Sequence, residues 1–335
     1  MKKDIKKIAI VRLSALGDII NSAVVLQFIK QYYPQVEVDW ICEEVFAPLV
    51  RIHPSVSNVY PINLKKIKKS KSLKELKTTI SYLKNLNNYD LVIDMQGLLK
   101  SAIVARLVGK NVHGFDKNSS REGLSALFYK TKSTIGYEQN IIKRNTFVVA
   151  DALGFEITDK MLLEKQSVFP IKRYKLKEGK KNIALVIGAS WDSKKYPKDL
   201  MRLLCLELDA NYYIIWGSKE EYKEASFIAK GYEHIEVAPK LSLDELAGYI
   251  SSMDLVIGND TGPTHLAWAQ NIASITLFGP TTTRMIYETP KNIGIKSPSE
   301  VDIFHIDKED FSIKEISVEK IITNAKKLLN ITEKK

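Results

Sequence analysis

Short apolar runs alternate along this chain with longer stretches whose apolar positions recur at helical spacing. Lys7 to Leu13 predicts a first strand, Val24 to Tyr33 a helix, and Val36 to Ile41 a second strand by alternation. Leu64 to Leu86 predicts a lysine-rich helix, Leu91 to Asp94 a buried strand, and Lys100 to Val108 a helix. The pattern then restarts. Asn182 to Ile187, Tyr212 to Trp216, Asp254 to Ile257 and Ser274 to Phe278 read as strands. Lys198 to Leu208, Glu220 to Lys230 and Leu243 to Ser251 read as helices, the last opened by a Ser242/Glu245 capping box. Short apolar strands separated by helices belong in parallel sheets covered on both faces.

The expected fold is α/β, with two doubly wound, Rossmann-like domains facing a central cleft. The first domain is placed at 1–170 and the second at 175–312, joined near Phe169-Pro170-Ile171-Lys172. A last helix, about Ser317 to Leu329, has an apolar face that suits either domain; the tail 313–335 is assigned to pack back on the first. The run from Asp90 to Gly97 echoes the run from Asp254 to Gly262, each an apolar strand ending in a polar, glycine-containing loop. Ligands of open parallel sheets bind outside the carboxyl ends of strands, so both loops are expected at the cleft.

Composition narrows the class. A chain of 335 residues with 45% hydrophobic and 27% charged residues suits two globular domains. Its two cysteines, Cys42 and Cys205, imply a reduced, cytoplasmic setting and no disulfide framework. No Cys/His cluster has metal-ligand spacing, and no apolar run approaches the roughly 18 residues of a membrane span. A net charge of +11 predicts an anionic partner: nucleic acid, an acidic membrane or a phosphorylated substrate. Lys65, Lys66, Lys68, Lys69, Lys71, Lys74 and Lys77 form the densest basic run. Beside anionic lipid each is worth about 1 kcal/mol. No aromatic residue interleaves with them, which argues against single-stranded nucleic acid.

Candidate chemistry gathers where strands end. Gly258 to His265 breaks from a strand through glycine into a helix start, with Thr261 as N-cap and Pro263 in the first turn. Such a start offers free N–H groups to a phosphate. Ser14-Ala15-Leu16-Gly17-Asp18 follows the first strand; Gly17 permits a tight turn, and Asp18 is placed as a general base or as a first-turn carboxylate that complements the helix dipole. Neither loop is a G-x-G-x-x-G fingerprint or a Walker loop, which disfavours a dinucleotide oxidoreductase or a P-loop kinase. Gly188 to Pro197 contains Lys194 and Lys195, either of which could neutralise a diphosphate. Trp216-Gly217-Ser218-Lys219-Glu220-Glu221 places a Glu where it could hold ribose hydroxyls or simply complement the helix start. His113-Gly114-Phe115-Asp116 reads as a polar loop, and Arg121 and Arg144 as bidentate partners for a phosphate or carboxylate.

Together these segments resemble glycosyltransferase family 9, the ADP-heptose:lipopolysaccharide heptosyltransferases of GT-B fold, over nearly the whole chain. Ser14 to Asp18 matches the family's S-x-x-G-D, and Asp260 to Leu266 its D-T-G-x-x-H-L. The middle segment, Asp94 to Ser101, His113 to Asp116, Arg121-Glu122 and Ser125 to Tyr129, resembles the branch that adds the first heptose to the Kdo of Kdo2-lipid A. The resemblance implies an inverting, metal-independent transfer with no cofactor and ADP-heptose as donor. It implies Asp18 as base, Lys194 and Asp260 as further catalytic residues, and Lys194, Thr261, Gly262 and His265 on the diphosphate, with Asp260 on the heptose. Glu221 would bind the ribose and Leu241 the adenine through its backbone; Ser190, Trp216 and Gly217 complete the donor set. Ser14, Gly17, Lys65, Lys66, Gln96, Lys100, His113, Arg121 and Arg144 would meet the acidic acceptor, with peripheral contact to the cytoplasmic face of an anionic inner membrane. Asn140 stands where the family pattern before Arg144 has His, and the loop before Lys194 is one residue shorter. The competing readings are the second heptosyltransferase, a GT-B sugar-nucleotide epimerase, and a basic anion-binding protein without activity.

Overall fold

A computed structural model describes residues 5–86 and 88–330, and the chain divides into two units between Val168 and Phe169. The first unit runs β1 (Lys7–Val11), α1 (Leu16–Ala23), α2 (Val25–Tyr32), β2 (Glu37–Glu43), α3 (Ala47–Arg51), β3 (Asn58–Ile62), α4 (Leu64–Ser70), α5 (Leu73–Asn85), β4 (Leu91–Asp94), α6 (Leu99–Val108), β5 (Val112–Phe115), β6 (Thr131–Ser133), α7 (Ile141–Leu153) and α8 (Asp159–Leu163). The second runs β7 (Asn182–Val186), α9 (Lys198–Glu207), β8 (Asn211–Ile215), α10 (Lys219–Ala229), β9 (Ile235–Val237), α11 (Leu243–Ile250), β10 (Leu255–Asn259), α12 (Gly262–Ala269), β11 (Ala273–Phe278), β12 (Asn292–Lys296) and α13 (Val318–Leu328).

Each unit holds a six-stranded parallel sheet, ordered β3-β2-β1-β4-β5-β6 and β9-β8-β7-β10-β11-β12. The two orders are the same order, that of a doubly wound nucleotide-binding sheet, with the switch point between the first and fourth strands of each unit. The sequence echo falls on this equivalence: β4 and β10 occupy the same place. The aspartates that open both runs also do the same work. Asp90 accepts the N–H groups of Lys6 and Lys7 at 2.8 and 2.9 Å, and Asp254 accepts that of Asn182 at 2.8 Å. Each carboxylate pins the start of the first strand to the fourth.

Both sheets are covered on both faces. Ala9 and Val11 face a core built with Leu83 and the α6 residues Ala102 and Ala105, while Ile8 and Ile10, one position out of phase, are just as fully buried. Ile183 and Leu185 repeat this against Ala184 and Val186.

The structure departs from the sequence pattern where local chemistry interrupts it. The first helix begins at Leu16, before the periodic stretch that starts at Val24. The lysine-rich helix breaks at Lys71, which takes a left-handed conformation (φ 52°), and Ser72 recaps α5 by accepting the N–H of Glu75 at 3.2 Å. His113-Gly114-Phe115 is strand β5, not loop. A Cβ at Gly114 would lie 2.6 Å from the ring of Tyr129, so the glycine there serves packing rather than a turn. Val318, Ile321, Ala325 and Leu329 line the core of the second unit, with α13 against α9 and β11.

Gly258 ends the apolar part of β10 because β7 lies too close for a side chain. A Cβ there would stand 2.5 Å from Val186 Cβ and 2.7 Å from the Val186 carbonyl oxygen. Gly258→Ala is expected to cost about 2 kcal/mol by overpacking against backbone, read as a lower urea midpoint. A wild-type midpoint would refute this.

Candidate active site

In the second unit the loops after β7, β10 and β11 meet on one carboxylate. Asp260 is only 3% exposed. Its Oδ2 accepts from Lys194 Nζ at 2.7 Å and from Thr281 Oγ1 at 2.9 Å, and its Oδ1 lies 3.1 Å from His265 Nε2. Burial opposes the charge on Asp260, but Lys194 and His265 outweigh it and hold the carboxyl well below the ordinary carboxylate range. Asn259, fully buried, fixes the neighbouring backbone. Its amide donates to the carbonyls of Ile187 and Gly188 at 2.8 and 3.3 Å, and its carbonyl accepts the N–H of Tyr196 at 2.9 Å. Thr261 takes extended backbone (φ −153°) as N-cap, with no side-chain cap bond, and α12 opens at Gly262-Pro263.

The two candidate lysines separate. Lys194 is buried against Asp260, with its ammonium 5.0 Å from the centroid of the Trp191 ring. Lys195 turns to Asp192 at 3.0 Å. Ser190 is exposed on the same loop. Beside it, Glu221 closes a capping box: its Oε2 accepts the N–H groups of Gly217 and Ser218 at 2.5 and 3.3 Å. The other oxygen borders Gly188, where a Cβ would come within 2.5 Å of it. Trp216 donates its indole N–H to the Ala238 carbonyl at 2.7 Å and lies under the ammonium of Lys240, which fixes one wall beside the half-buried Leu241.

In the first unit the loop after β1 is braced from below. The guanidinium of Arg12 is buried, pairs with Asp18 Oδ1 at 2.8 Å and donates to the Met95 carbonyl. The other Asp18 oxygen accepts the N–H of Ala15 at 3.1 Å, and the Asp18 side chain keeps 26% of its exposure. Gly17 lies in the first turn of α1. Gln96 accepts the N–H of Leu13 at 2.9 Å, and Lys100 reaches Ser14 Oγ at 3.4 Å. Asp94, completely buried, accepts from Tyr129, Ser101 and the N–H of Gln96 at 2.7 to 2.8 Å and so sets the whole loop after β4. Burial raises its pKa, and these hydrogen bonds work against that rise. Lys65 and Lys66 open α4; Lys66 is paired with Glu75 at 3.0 Å.

Arg12, Glu43, Asp94, Asn259 and Thr281 were not anticipated as site residues. Glu43 ends β2, accepts backbone N–H groups of Leu64 and Lys65, and faces the charges of Lys100 and Lys65; burial raises its pKa against them. Its sequence signal was a Glu-Glu pair at the end of a strand, and that of Asn259 an amide directly before the D-T-G run. Two expected acceptor residues are buried, and the loop expected at His113 is a strand. His113 lies inside β5 with its ring nitrogens on Thr131 Oγ1 and Ser133 Oγ at 2.8 and 2.7 Å. Arg144 is buried, donates to the carbonyls of Ile135, Gly136 and Ser119, and lies over Phe115 and Tyr137. Both are buried and engaged within the first unit. Asn140 caps α7 by accepting the N–H groups of Ile142 and Lys143, which accounts for the residue at that place. Arg121 is exposed.

This geometry can be set beside known proteins. The profile of glycosyltransferase family 9 (heptosyltransferase) matches residues 81–300. The chain belongs to this family. It is 40% identical over 342 residues to lipopolysaccharide heptosyltransferase 1 of Campylobacter coli, covering 96% of this chain and 98% of that one. It is 31% identical to lipopolysaccharide heptosyltransferase 1 of Escherichia coli strain K12, covering 85% and 92%. The solved structure of Escherichia coli heptosyltransferase WaaC with ADP-2-deoxy-2-fluoro heptose superposes with a TM-score of 0.79 at 25% identity, covering 96% and 99%. The fold is thus GT-B, and this family-9 chain is a glycosyltransferase. Among the described residues no helix is long and apolar enough to cross a membrane, and no group of three or more His, Cys, Asp or Glu could hold a metal ion.

The charge on Asp260 carries a pH prediction. Its folded pKa is depressed, so its contribution is fully present above the unfolded value, about 3.9, and is lost as pH falls below it. Asp260→Asn is expected to cost about 3 kcal/mol at pH 7, and the gap to wild type should narrow below roughly pH 4. Urea midpoints at pH 7, 5 and 3 check this; a gap constant across the series would sink it.

Proposed function

We propose that this chain transfers L-glycero-D-manno-heptose from ADP-heptose to the Kdo of Kdo2-lipid A in lipopolysaccharide or lipooligosaccharide inner-core synthesis. Transfer proceeds with inversion and without a metal ion or other cofactor, at the cytoplasmic face of the inner membrane. The observation that carries this reading is the Lys194–Asp260–His265 cluster at the start of α12, in a chain of this family whose relatives bear the name of the first heptosyltransferase.

In this reading Asp18 takes the proton of the acceptor hydroxyl. The freed oxygen attacks the anomeric carbon, the carbon–oxygen bond to the diphosphate breaks, and its electron pair leaves with ADP. Arg12 holds Asp18 in place. Lys194, the N–H groups of Thr261 and Gly262, and His265 receive the charge that develops on the diphosphate. Asp260 is a catalytic residue that orients Lys194 and His265 and meets the heptose as Lys194 turns to the phosphates. Glu221 holds the ribose; Ser190, Trp216, Gly217 and Leu241 border the nucleoside. Ser14, Gly17, Lys65, Lys66, Gln96, Lys100 and Arg121 form the acceptor side, with lysines suited to an acidic sugar. His113 and Arg144 are left out of it.

Incubation of the purified protein with ADP-heptose and Kdo2-lipid A is expected to add one heptose, read by mass spectrometry; no mass increase would overturn the reading. Asp18→Ala should lower kcat by at least about a thousandfold with near-normal ADP affinity. Near-normal turnover would remove Asp18 from the role. Lys194→Ala should weaken ADP binding about tenfold or more by calorimetry, and unchanged affinity would move the role to Lys195. Activity is expected to survive EDTA, and loss restored by Mg²⁺ would refute metal independence.

A further inference from the structure

In the first unit, exposed apolar side chains collect at one edge of the sheet. Ten large hydrophobic residues of this unit are exposed among those described, and seven of them are Val45, Leu73, Leu76, Leu99, Ile103, Leu124 and Leu127. All seven follow the carboxyl ends of strands. Val45 comes directly after β2, and Leu99 and Ile103 lie in the first half of α6 after β4. Leu124 and Leu127 stand in the turn of 3₁₀ helix, Gly123–Phe128, after β5. Helix α5 must return the chain to the start of β4, so Leu73 and Leu76 also begin at the carboxyl edge. This is the edge that bears Ser14, Asp18, Gln96 and Lys65.

The residues form one surface. Helix α5 packs on α6, and α6 packs on the 123–128 turn. Leu76 lies seven positions before Leu83, the one buried residue of α5, so a packed stripe runs out into the open. Leu99 and Ile103, four apart, share a face of α6. Leu124 and Leu127 are 65% and 80% exposed while Ser125 and Ala126 between them are buried, which fixes both leucines outward. Around them Lys65, Lys66, Lys68, Lys69, Lys71, Lys74 and Lys77 are all exposed. The nearby acids are occupied: Glu75 by Lys66 and Ser70, and Glu122 by the N–H of Leu99.

We infer that this edge is a membrane-docking surface, in which Leu73, Leu76, Leu99, Ile103, Leu124 and Leu127 enter the interface of an anionic phospholipid bilayer and the α4–α5 lysines lie among its headgroups. Charge complementarity selects the occupant. Lysines ringing exposed leucines fit a surface with an apolar interior and negative headgroups, and the two attractions add. The inference deepens the function proposed above and rests on it for its purpose, since it lays the acceptor loops on the surface from which a lipid-borne sugar would project.

Flotation with vesicles of phosphatidylcholine, and of phosphatidylcholine with one quarter phosphatidylglycerol, tests it without any acceptor present. Wild-type protein should float with the anionic vesicles, and less so as salt is raised. Leu73→Ser with Leu76→Ser, and separately Leu124→Ser with Leu127→Ser, should each weaken binding about tenfold or more. Both pairs are exposed, so near-ultraviolet dichroism should match wild type, and transfer to detergent-dispersed acceptor should persist. Absence of wild-type binding to anionic vesicles, or unchanged binding by both double variants, would overturn the inference. Vesicle binding without any heptose transfer in detergent would leave it standing and overturn the proposed function instead.

Discussion

The strand ends of the second unit depend on one carboxylate that water hardly reaches. A buried charge is costly unless it is paired and hydrogen-bonded on both oxygens. Asp260 meets that condition with partners from three segments: Lys194 after β7, His265 in α12 and Thr281 after β11. The requirement therefore fixes more than the carboxylate, since satisfying it draws three strand ends to one point. It also leaves Lys194 with a defined position and with N–H donors beyond the one given to Asp260. A phosphate arriving there meets a cation already oriented, which is how a site favours a charge that develops late in a reaction.

Asp18 shows what the same residue type does in the opposite setting. It too has a cationic partner, Arg12, but it lies in the first turn of α1, whereas Asp260 precedes the N-cap of α12. Its side chain keeps 26% of its exposure where Asp260 keeps 3%. One oxygen is held by the guanidinium and the other, among the described residues, by the N–H of Ala15. A carboxylate held on one side and open on the other is suited to exchange a proton, while one enclosed on all sides is suited to organise its neighbours. Environment, not residue type, separates the two tasks.

Much of this was legible in the sequence because period and punctuation agree in most elements. The strands read at Leu91 to Asp94 and Asn182 to Ile187 recur within a residue, and so does the capped helix from Leu243. Short strands such as β6 and β9 escaped because three residues carry no period. The loop at His113 was misread because His and Gly look like turn chemistry, whereas here Gly114 makes room for Tyr129 and His113 satisfies two hydroxyls. Arg144 shows what residue type leaves open: a guanidinium suits a phosphate, and here it donates to three backbone carbonyls, a placement set by tertiary structure.

Asp90 to Gly97 and Asp254 to Gly262 echo one another as apolar strands that end in polar, glycine-containing loops. Topology makes the echo a shared device. In both units the fourth strand is anchored at its start by an aspartate on the first strand's backbone, and its following loop reaches back to brace the loop after the first strand. Counted from those aspartates, Gln96 and Asp260 hold the same place. Gln96 accepts the Leu13 N–H and steadies the turn that leads to Asp18, and Asp260 takes the ammonium of Lys194. The loops that carry chemistry are thus held by neighbours rather than by their own propensities, at the switch point where the sheet leaves them otherwise unsupported. A neutral amide suffices where a backbone N–H must be steadied. A carboxylate is needed where the braced group is itself a cation, and that single difference in residue type separates the loop after β4 from the loop after β10.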